Sequence, residues 1–483
     1  MLPFRASEGL PRISALFRFR RLILRALPVT ALLGLVACAS VDSPTLPRDV
    51  PAAWRESGTA LAGTAAPDLR NWWKVFGDAR LDGLVDQALA QNLDVAQAAS
   101  RLRQARLSAG QSNTAYLPML SAGTRSVQIP SATDTYLQAS LDAVWELGLF
   151  GAREGMQKSV QGLVDAAEVD AQSARVSVVA EVVRSYLDLR AAQNQLAVLQ
   201  KIAALDERAV QLINVRINTR LASTGDRDVV LARQAHTLAE FADPQEAEVR
   251  AAQGLAVLLG KQEPDPSWFV LAPQPELGAI SVQQVPADLL LTRPEIRKAE
   301  SMVEQAAGDL GVARSELYPR IALGASYLAS YNITQNTRAR LNTALAMGPI
   351  IDVPIFDWGR RKANADARRE ALAASVLAYR QSVLQGVAEV ESALSSLNRQ
   401  GERLTYLKDA RDSIARNEAS QQTLARLGLS SEFDTIPATR SALQTDLDLT
   451  LTRVRRGLAF VALYKSLGGA PLPANPALAQ AQP

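Results

Sequence analysis

Leu137-Gln-Ala-Ser-Leu-Asp-Ala-Val-Trp145 sets Leu137, Ala139, Leu141, Ala143 and Trp145 against Gln138, Ser140, Asp142 and Val144. A period of two puts the first set on one face of an extended strand. The next stretch of chain has the opposite character. No proline occurs between Pro130 and Pro244, and Glu154 to Arg220 reads as one nearly continuous helix of 67 residues, about 100 Å long at 1.5 Å per residue. Along it Val160, Val164, Ala167, Ala171, Ala174, Val178 and Val182 recur at spacings of four and three, a heptad-like seam in which alanines let neighbouring helices come close. A coiled-coil homodimer would show the same seam, so this segment alone leaves both readings open.

The second half of the chain makes the same change of pattern. Ile321, Leu323, Ala325, Tyr327, Ala329 and Tyr331 alternate, as do Leu341, Thr343, Leu345 and Met347 opposite Arg340, Asn342, Ala344 and Ala346. A weaker alternation over Leu120 to Ile129 completes two strands per half, about 118–145 and about 319–350. Their length of roughly ten residues matches a tilted membrane-spanning strand. A second proline-free stretch then runs from Pro354 to Pro437.

Landmarks also return in order. Pro118-x-Leu-x-x-Gly123 reappears as Pro319-x-Ile-x-x-Gly324, offset by 201, while Phe150-Gly-Ala-Arg153 and Val179-Ala-Glu-Val182 reappear as Trp358-Gly-Arg-Arg361 and Val387-Ala-Glu-Val390, offset by 208. Solenoid periods run about 20 to 50 residues, so a repeat of this size is a duplicated half-molecule. Four membrane strands cannot close a barrel, because unpaired backbone groups in lipid cost several kcal/mol each. Three copies would supply twelve strands, and duplicated subunits would make that trimer a pseudo-sixfold ring. The expected fold class is therefore mostly α with a small transmembrane β part: an internally duplicated chain forming a trimeric 12-stranded β-barrel continued by a long α-helical barrel.

Composition agrees with long helices packed through small side chains, since only 5% of the 483 residues are aromatic. The pI near 9.0 does not point to nucleic acid. Six arginines and one glutamate fall in residues 1–37, so the net +3 of the chain becomes about −2 beyond them. Residues 1–37 read as a signal peptide, with Arg18, Arg20, Arg21 and Arg25 before an apolar run from Ala26 to Val36. Leu35-Val36-Ala37-Cys38 resembles a bacterial lipoprotein box, which makes Cys38 the expected acylated anchor in outer-membrane lipid. Residues 38–70 form a Pro-, Ala- and Thr-rich tether. The body divides into repeats at 71–265 and 266–470, and 471–483 is a tail. Trp72, Trp73 and Phe76 are expected as core anchors.

The chain is similar to the outer-membrane efflux channels, the TolC-like outer membrane factors, in the lipoprotein branch serving resistance-nodulation-division pumps. Trp145-Glu-Leu-Gly-Leu-Phe-Gly-Ala-Arg153 resembles the family's strand-to-helix turn, with Gly151 and Arg153 at its end, and Pro354-Ile-Phe-Asp-Trp-Gly-Arg-Arg361 repeats it with Gly359 and Arg361. Leu289-Leu-Leu-Thr-Arg-Pro-Glu-Ile296, Leu317-Tyr-Pro319 and Leu463-Tyr-Lys-Ser-Leu-Gly-Gly469 resemble further family motifs. The resemblance implies a trimer with its β-barrel in the outer membrane of a Gram-negative bacterium and its helical barrel in the periplasm. It implies partners as well: a periplasmic adaptor (membrane fusion) protein and an inner-membrane pump.

Chemistry of other kinds has little to stand on. His236 is the only histidine and Cys38 the only cysteine, too few for a tetrahedral metal site or for most catalytic triads, so neither catalytic residues nor cofactor nor metal are expected. The functional candidates are the hairpin tips. Leu427-Gly-Leu-Ser-Ser-Glu-Phe-Asp434 resembles the family's periplasmic tip, and Leu221-Ala-Ser-Thr-Gly-Asp-Arg-Asp228 is its partner in the first repeat. The resemblance implies adaptor contact at Gly428, Leu429, Ser430, Ser431, Ala222 and Ser223, and rings of carboxylates from Asp434 and Asp228 facing the lumen. A second reading makes both aspartates caps on the following helices. Gly428 and Pro437 are set opposite Ala222 and Leu231, and that difference between the tips is the expected place of a gate. Two competitors remain: a duct for a heavy-metal or protein-secretion exporter, and a non-conducting structural envelope lipoprotein.

Overall fold

In chain order the protein forms α1 (Ala79–Gln91), α2 (Leu93–Asn113), strands β1 (Met119–Gln128) and β2 (Thr135–Glu146), then α3 (Ala152–Asn218), α4 (Thr224–Ala239), α5 (Ala242–Leu258) and α6 (Pro294–Ser315). Strands β3 (Arg320–Asn332) and β4 (Leu341–Asp352), α7 (Arg360–Arg426) and α8 (Glu432–Ser466) complete it. These elements come from a computed structural model that describes residues 42–47, 54–55, 69–128, 135–278, 292–333 and 341–470. The expected signal peptide (residues 1–37), Cys38 and the expected tail 471–483 lie outside the described residues.

Each proline-free stretch contains one helix of 67 residues, α3 in the first and α7 in the second. Apolar residues recur at helical spacing from Leu81 to about Leu107 with no proline between, yet the stretch forms two helices, broken at Asn92. The Asn92 carboxamide oxygen accepts from Asp94 N (2.9 Å) and Val95 N (3.1 Å), and its amide donates to Leu258 O at 3.0 Å. Asparagine competes well for orphan helix N–H groups, and here it starts α2 while tying its start to α5. Among the described residues no helix is long and apolar enough to cross a membrane.

The chain separates into two compact units. One holds the sheet, with strands in the order β1-β2-β3-β4, all antiparallel. The register sorts its side chains. Leu137 sits opposite Tyr331, which sits opposite Leu341; Leu141 lies between Ala122 and Tyr327, and Tyr327 faces Leu345. These apolar residues share one face and are largely exposed. Polar partners occupy the other: Asp142 accepts from Ser326 Oγ (2.5 Å) and Ser140 Oγ (2.7 Å), Arg125 donates to Gln138 (3.0 Å), and Arg320 to Glu146 (2.8 Å). Among the described residues no strand lies beside the outer edges of β1 and β4.

In the same unit α3 and α6 meet backbone to backbone. A Cβ on Gly308 would overlap Ser159 N, one on Gly155 would lie 2.8 Å from Gly308 O, and one on Gly162 2.7 Å from Gln305 N. Ser159 Oγ donates to Asp309 at 2.6 Å, and Lys158 pairs with Glu304 at 3.5 Å.

The second unit is helical and built on an aromatic knot. Trp72 is fully buried, stacks on Tyr464 (5.8 Å, 27°), meets Phe460 edge-on and donates its indole N–H to Gly469 O at 3.0 Å. Trp73 and Phe76 are buried beside it, which makes the cluster a core anchor. Asp78 caps α1 and accepts the Tyr186 hydroxyl at 2.7 Å.

Gly308→Ala is expected to lower stability by about 1–3 kcal/mol, because backbone atoms and not flexible side chains occupy the space. Gly83→Ala, with nothing within 4 Å of its Cβ, is expected to be neutral or stabilising. Thermal unfolding of the two variants checks the contrast.

Candidate functional site

Helix α3 ends with Leu221 N donating to Arg216 O (2.7 Å) and Arg220 N to Ile217 O (2.9 Å). Helix α7 ends with Leu429 N donating to Leu424 O (2.9 Å) and Gly428 N to Ala425 O (3.0 Å). Both are the same left-handed helix stop, with Arg220 at φ 54 and Gly428 at φ 71. The next helices then start alike. Ser223 N donates to Asp226 at 2.8 Å and Asp226 N to Ser223 Oγ at 3.2 Å; Ser431 and Asp434 form the same reciprocal capping box.

Every one of these positions is related by 208 residues. Gly428 therefore corresponds to Arg220, not Ala222; Pro437, inside α8, corresponds to Val229, not Leu231. Asp434 corresponds to Asp226, which sequence reasoning misses although its Ser-x-x-Asp spacing is visible. Asp228 stands outside the box with an exposed carboxylate 4.0 Å from Arg227.

Asp434 is engaged twice. It accepts from Ser431 and from Arg216 Nη1 at 3.0 Å, and Arg216 also lies over the Phe433 ring at 5.0 Å. The Ser431 hydrogen bonds, joined by Arg216, hold its carboxyl below the ordinary aspartate value. Hydrogen bonds from Ser223 backbone and side chain do the same for Asp226. Next to Asp434, Glu432 takes both arms of Arg208 at 2.7 Å, which lowers the glutamate and raises the arginine. Two carboxylates in the first turn of α8 also suit its positive end.

Below these pairs Ala209, Ile213, Val230 and Ile436 form an apolar plug, with Ala222 and Phe433 packed against it. Asp206, completely buried, accepts from Arg233 Nε (3.0 Å), Thr237 Oγ1 (2.7 Å) and Arg440. One carboxylate thus joins α3, α4 and α8. Leu221 and Leu429, which correspond to each other, stay 70% and 71% exposed at the turns: the tips are clamped behind and apolar in front. Ser430 Oγ is buried without a hydrogen-bond partner.

The strand-to-helix turns place Gly151 at φ 82 and Gly359 at φ 79. Arg153 N donates to Gly148 O (3.3 Å), and Arg361 N to the Asp357 carboxylate (3.1 Å). Among the described residues no group of three or more His, Cys, Asp or Glu side chains is placed to share a metal ion.

The profile of outer membrane efflux proteins matches residues 84–261 and 285–469. The chain belongs to the outer membrane efflux protein family. The family's pyoverdine export outer membrane protein OpmQ of Pseudomonas aeruginosa is 28% identical over 91% of this chain and 96% of its own. Toluene efflux pump outer membrane protein TtgI of Pseudomonas putida is 27% identical over 92% and 98%. The solved outer-membrane channel OprN superposes with a TM-score of 0.78 at 27% identity, over 90% of this chain and all of its own. As an outer membrane efflux protein, the chain has its place in the Gram-negative outer membrane.

Two outcomes are expected at the tips. Arg220→Gly removes a left-handed non-glycine residue and Gly428→Ala creates one, at about 1–2 kcal/mol, so amide exchange at the turn slows in the first variant and quickens in the second. The depressed Asp226 and Asp434 contribute stability that is whole above the ordinary aspartate value and fades as pH falls through their folded values. Protection of the amides at 223–226 and 431–434, measured against the unstructured-chain exchange rate at the same pH, should therefore fall on acidification below about pH 4, and at 431–434 less so in Asp434→Asn.

Proposed function

We propose that three copies of this chain, each an internal duplicate with repeats at 71–265 and 266–470, close a twelve-stranded barrel and form the outer-membrane exit duct of a tripartite efflux machine. The observation that carries this is the sheet: strands of 10 to 13 residues, one face apolar, the other hydrogen-bonded and polar, both edges open. In lipid the open edges require strands from other copies. The apolar face then meets lipid and the polar face lines water.

The duct performs no chemistry and has no energy source of its own. An inner-membrane pump of the resistance-nodulation-division class drives transport, and a periplasmic adaptor docks on the tips around Leu221 and Leu429 and shifts a clamped state toward an open one. Acylated Cys38 tethers the N-terminus to the membrane. Relatives at nearly equal identity are named for pyoverdine export, toluene efflux and cation efflux, in keeping with a duct that passes small molecules delivered to it.

Planar-bilayer conductance tests the proposal. Purified protein is expected to give small, mostly closed currents, and Arg216→Ala with Arg208→Ala to raise the open fraction by releasing α8 from α3. A protein that makes no pores, with or without these substitutions, would be a structural lipoprotein instead.

A further inference from the structure

In the unit that holds the sheet, the turn after β2 packs on the turn before β3. Phe150, at φ 55 and 6% exposed, stacks on Tyr318 at 5.1 Å and 13°. Just along the helices Gly155 abuts Gly308 and Lys158 pairs with Glu304 at 3.5 Å. Each of these residues has a counterpart at the offsets fixed by the repeat. On the α3 side, 208 residues later, stand Trp358, Ala363 and Asp366; on the α6 side, 201 residues earlier, stand Leu117, Leu107 and Arg103.

The counterparts have the right chemistry to meet and are open in the single chain. Trp358 repeats the left-handed conformation of Phe150 at φ 59 but is 90% exposed, with the Phe356 ring edge-on to it at 4.7 Å. Leu117 is 50% and Leu107 77% exposed. Asp366 pairs with Arg369 and Arg103 bonds Ser100, each within its own helix. The ion pair has kept its attraction by reversing both charges: Lys158 has become Asp366 and Glu304 has become Arg103.

We infer that the second repeat of one copy docks on the first repeat of the next through Trp358 on Leu117, Ala363 on Leu107 and Asp366 on Arg103, a copy of the contact made inside each chain. This rests on the trimer proposed above. The copy is not uniform. Gly155 and Gly308 let α3 and α6 touch backbone to backbone, whereas Ala363 and Leu107 hold α7 and the neighbour's α2 further apart. The ring therefore alternates close seams within chains and wider seams between them, and the wider ones are capped by Trp358.

Cross-linking of the full chain in detergent decides it. Trp358→Cys with Leu117→Cys, and Asp366→Cys with Arg103→Cys, are treated with a short bis-maleimide and denatured. Each double variant is expected to give covalent dimers and trimers that its single-cysteine parents lack. Trimers on a native gel that denature to monomers overturn the inference and leave the trimer standing; absence of trimers in the unsubstituted protein overturns both. Reaction of Trp358→Cys with a maleimide that partitions into lipid, in intact trimers, places the residue against the bilayer and overturns the inference too. If cysteines at these sites block assembly, charge exchange gives the answer: Arg103→Glu should lower the temperature at which trimers dissociate, and adding Asp366→Arg should restore it. No recovery in the double variant counts against the contact.

Discussion

Everything in this chain depends on the backbone N–H and C=O groups along the free edges of β1 and β4. A hydrogen-bonding group left unpaired in hydrocarbon costs several kcal/mol, and a ten-residue edge carries several. A four-stranded sheet with an apolar face toward lipid cannot stand alone in a membrane. In the proposed assembly the apolar face meets lipid and the edges meet strands of other copies, so the subunit would be stable only as part of a ring. In the proposed ring, duplication would let a contact selected once within the chain be used again between chains.

The long helices follow from equally local constraints. Alanine-rich α3 and α7 can run 67 residues without a break because no proline interrupts the ladder and small side chains let neighbours pack. At the hairpin tips the helices are tied to one another through side chains. There α8 is bound to α3 by Arg208–Glu432 and Arg216–Asp434, over an apolar plug and the buried Asp206 junction. Exposed ion pairs contribute little each and are screened by salt, which fits the release proposed for the tips. Asp206 is of another kind: its carboxylate is completely buried and joins α3, α4 and α8 through Arg233, Thr237 and Arg440.

Much of this is legible in the sequence because it is local. Alternation over 137–145 and 321–331 corresponds to β2 and β3, and the proline-free stretches to α3 and α7. The break at Asn92 is hidden because apolar spacing continues across it, although asparagine before Asp94 is a capping signal. At the tips the left-handed stop is visible at Gly428 but masked at Arg220, where the chain tolerates a non-glycine residue; that masking sets Ala222 opposite Gly428 and Asp228 opposite Asp434. The clamp cannot be read at all, since Arg208 and Glu432 are 224 positions apart and Arg216 and Asp434 218.

The claim on which the rest depends is that open sheet edges force three chains into one barrel. Native mass spectrometry of the protein released from detergent micelles measures this directly. The account predicts a single dominant species of three times the mass of the mature chain. A dominant monomer or dimer from preparations that retain β-structure would contradict it, because neither can pair both edges of a twelve-stranded barrel.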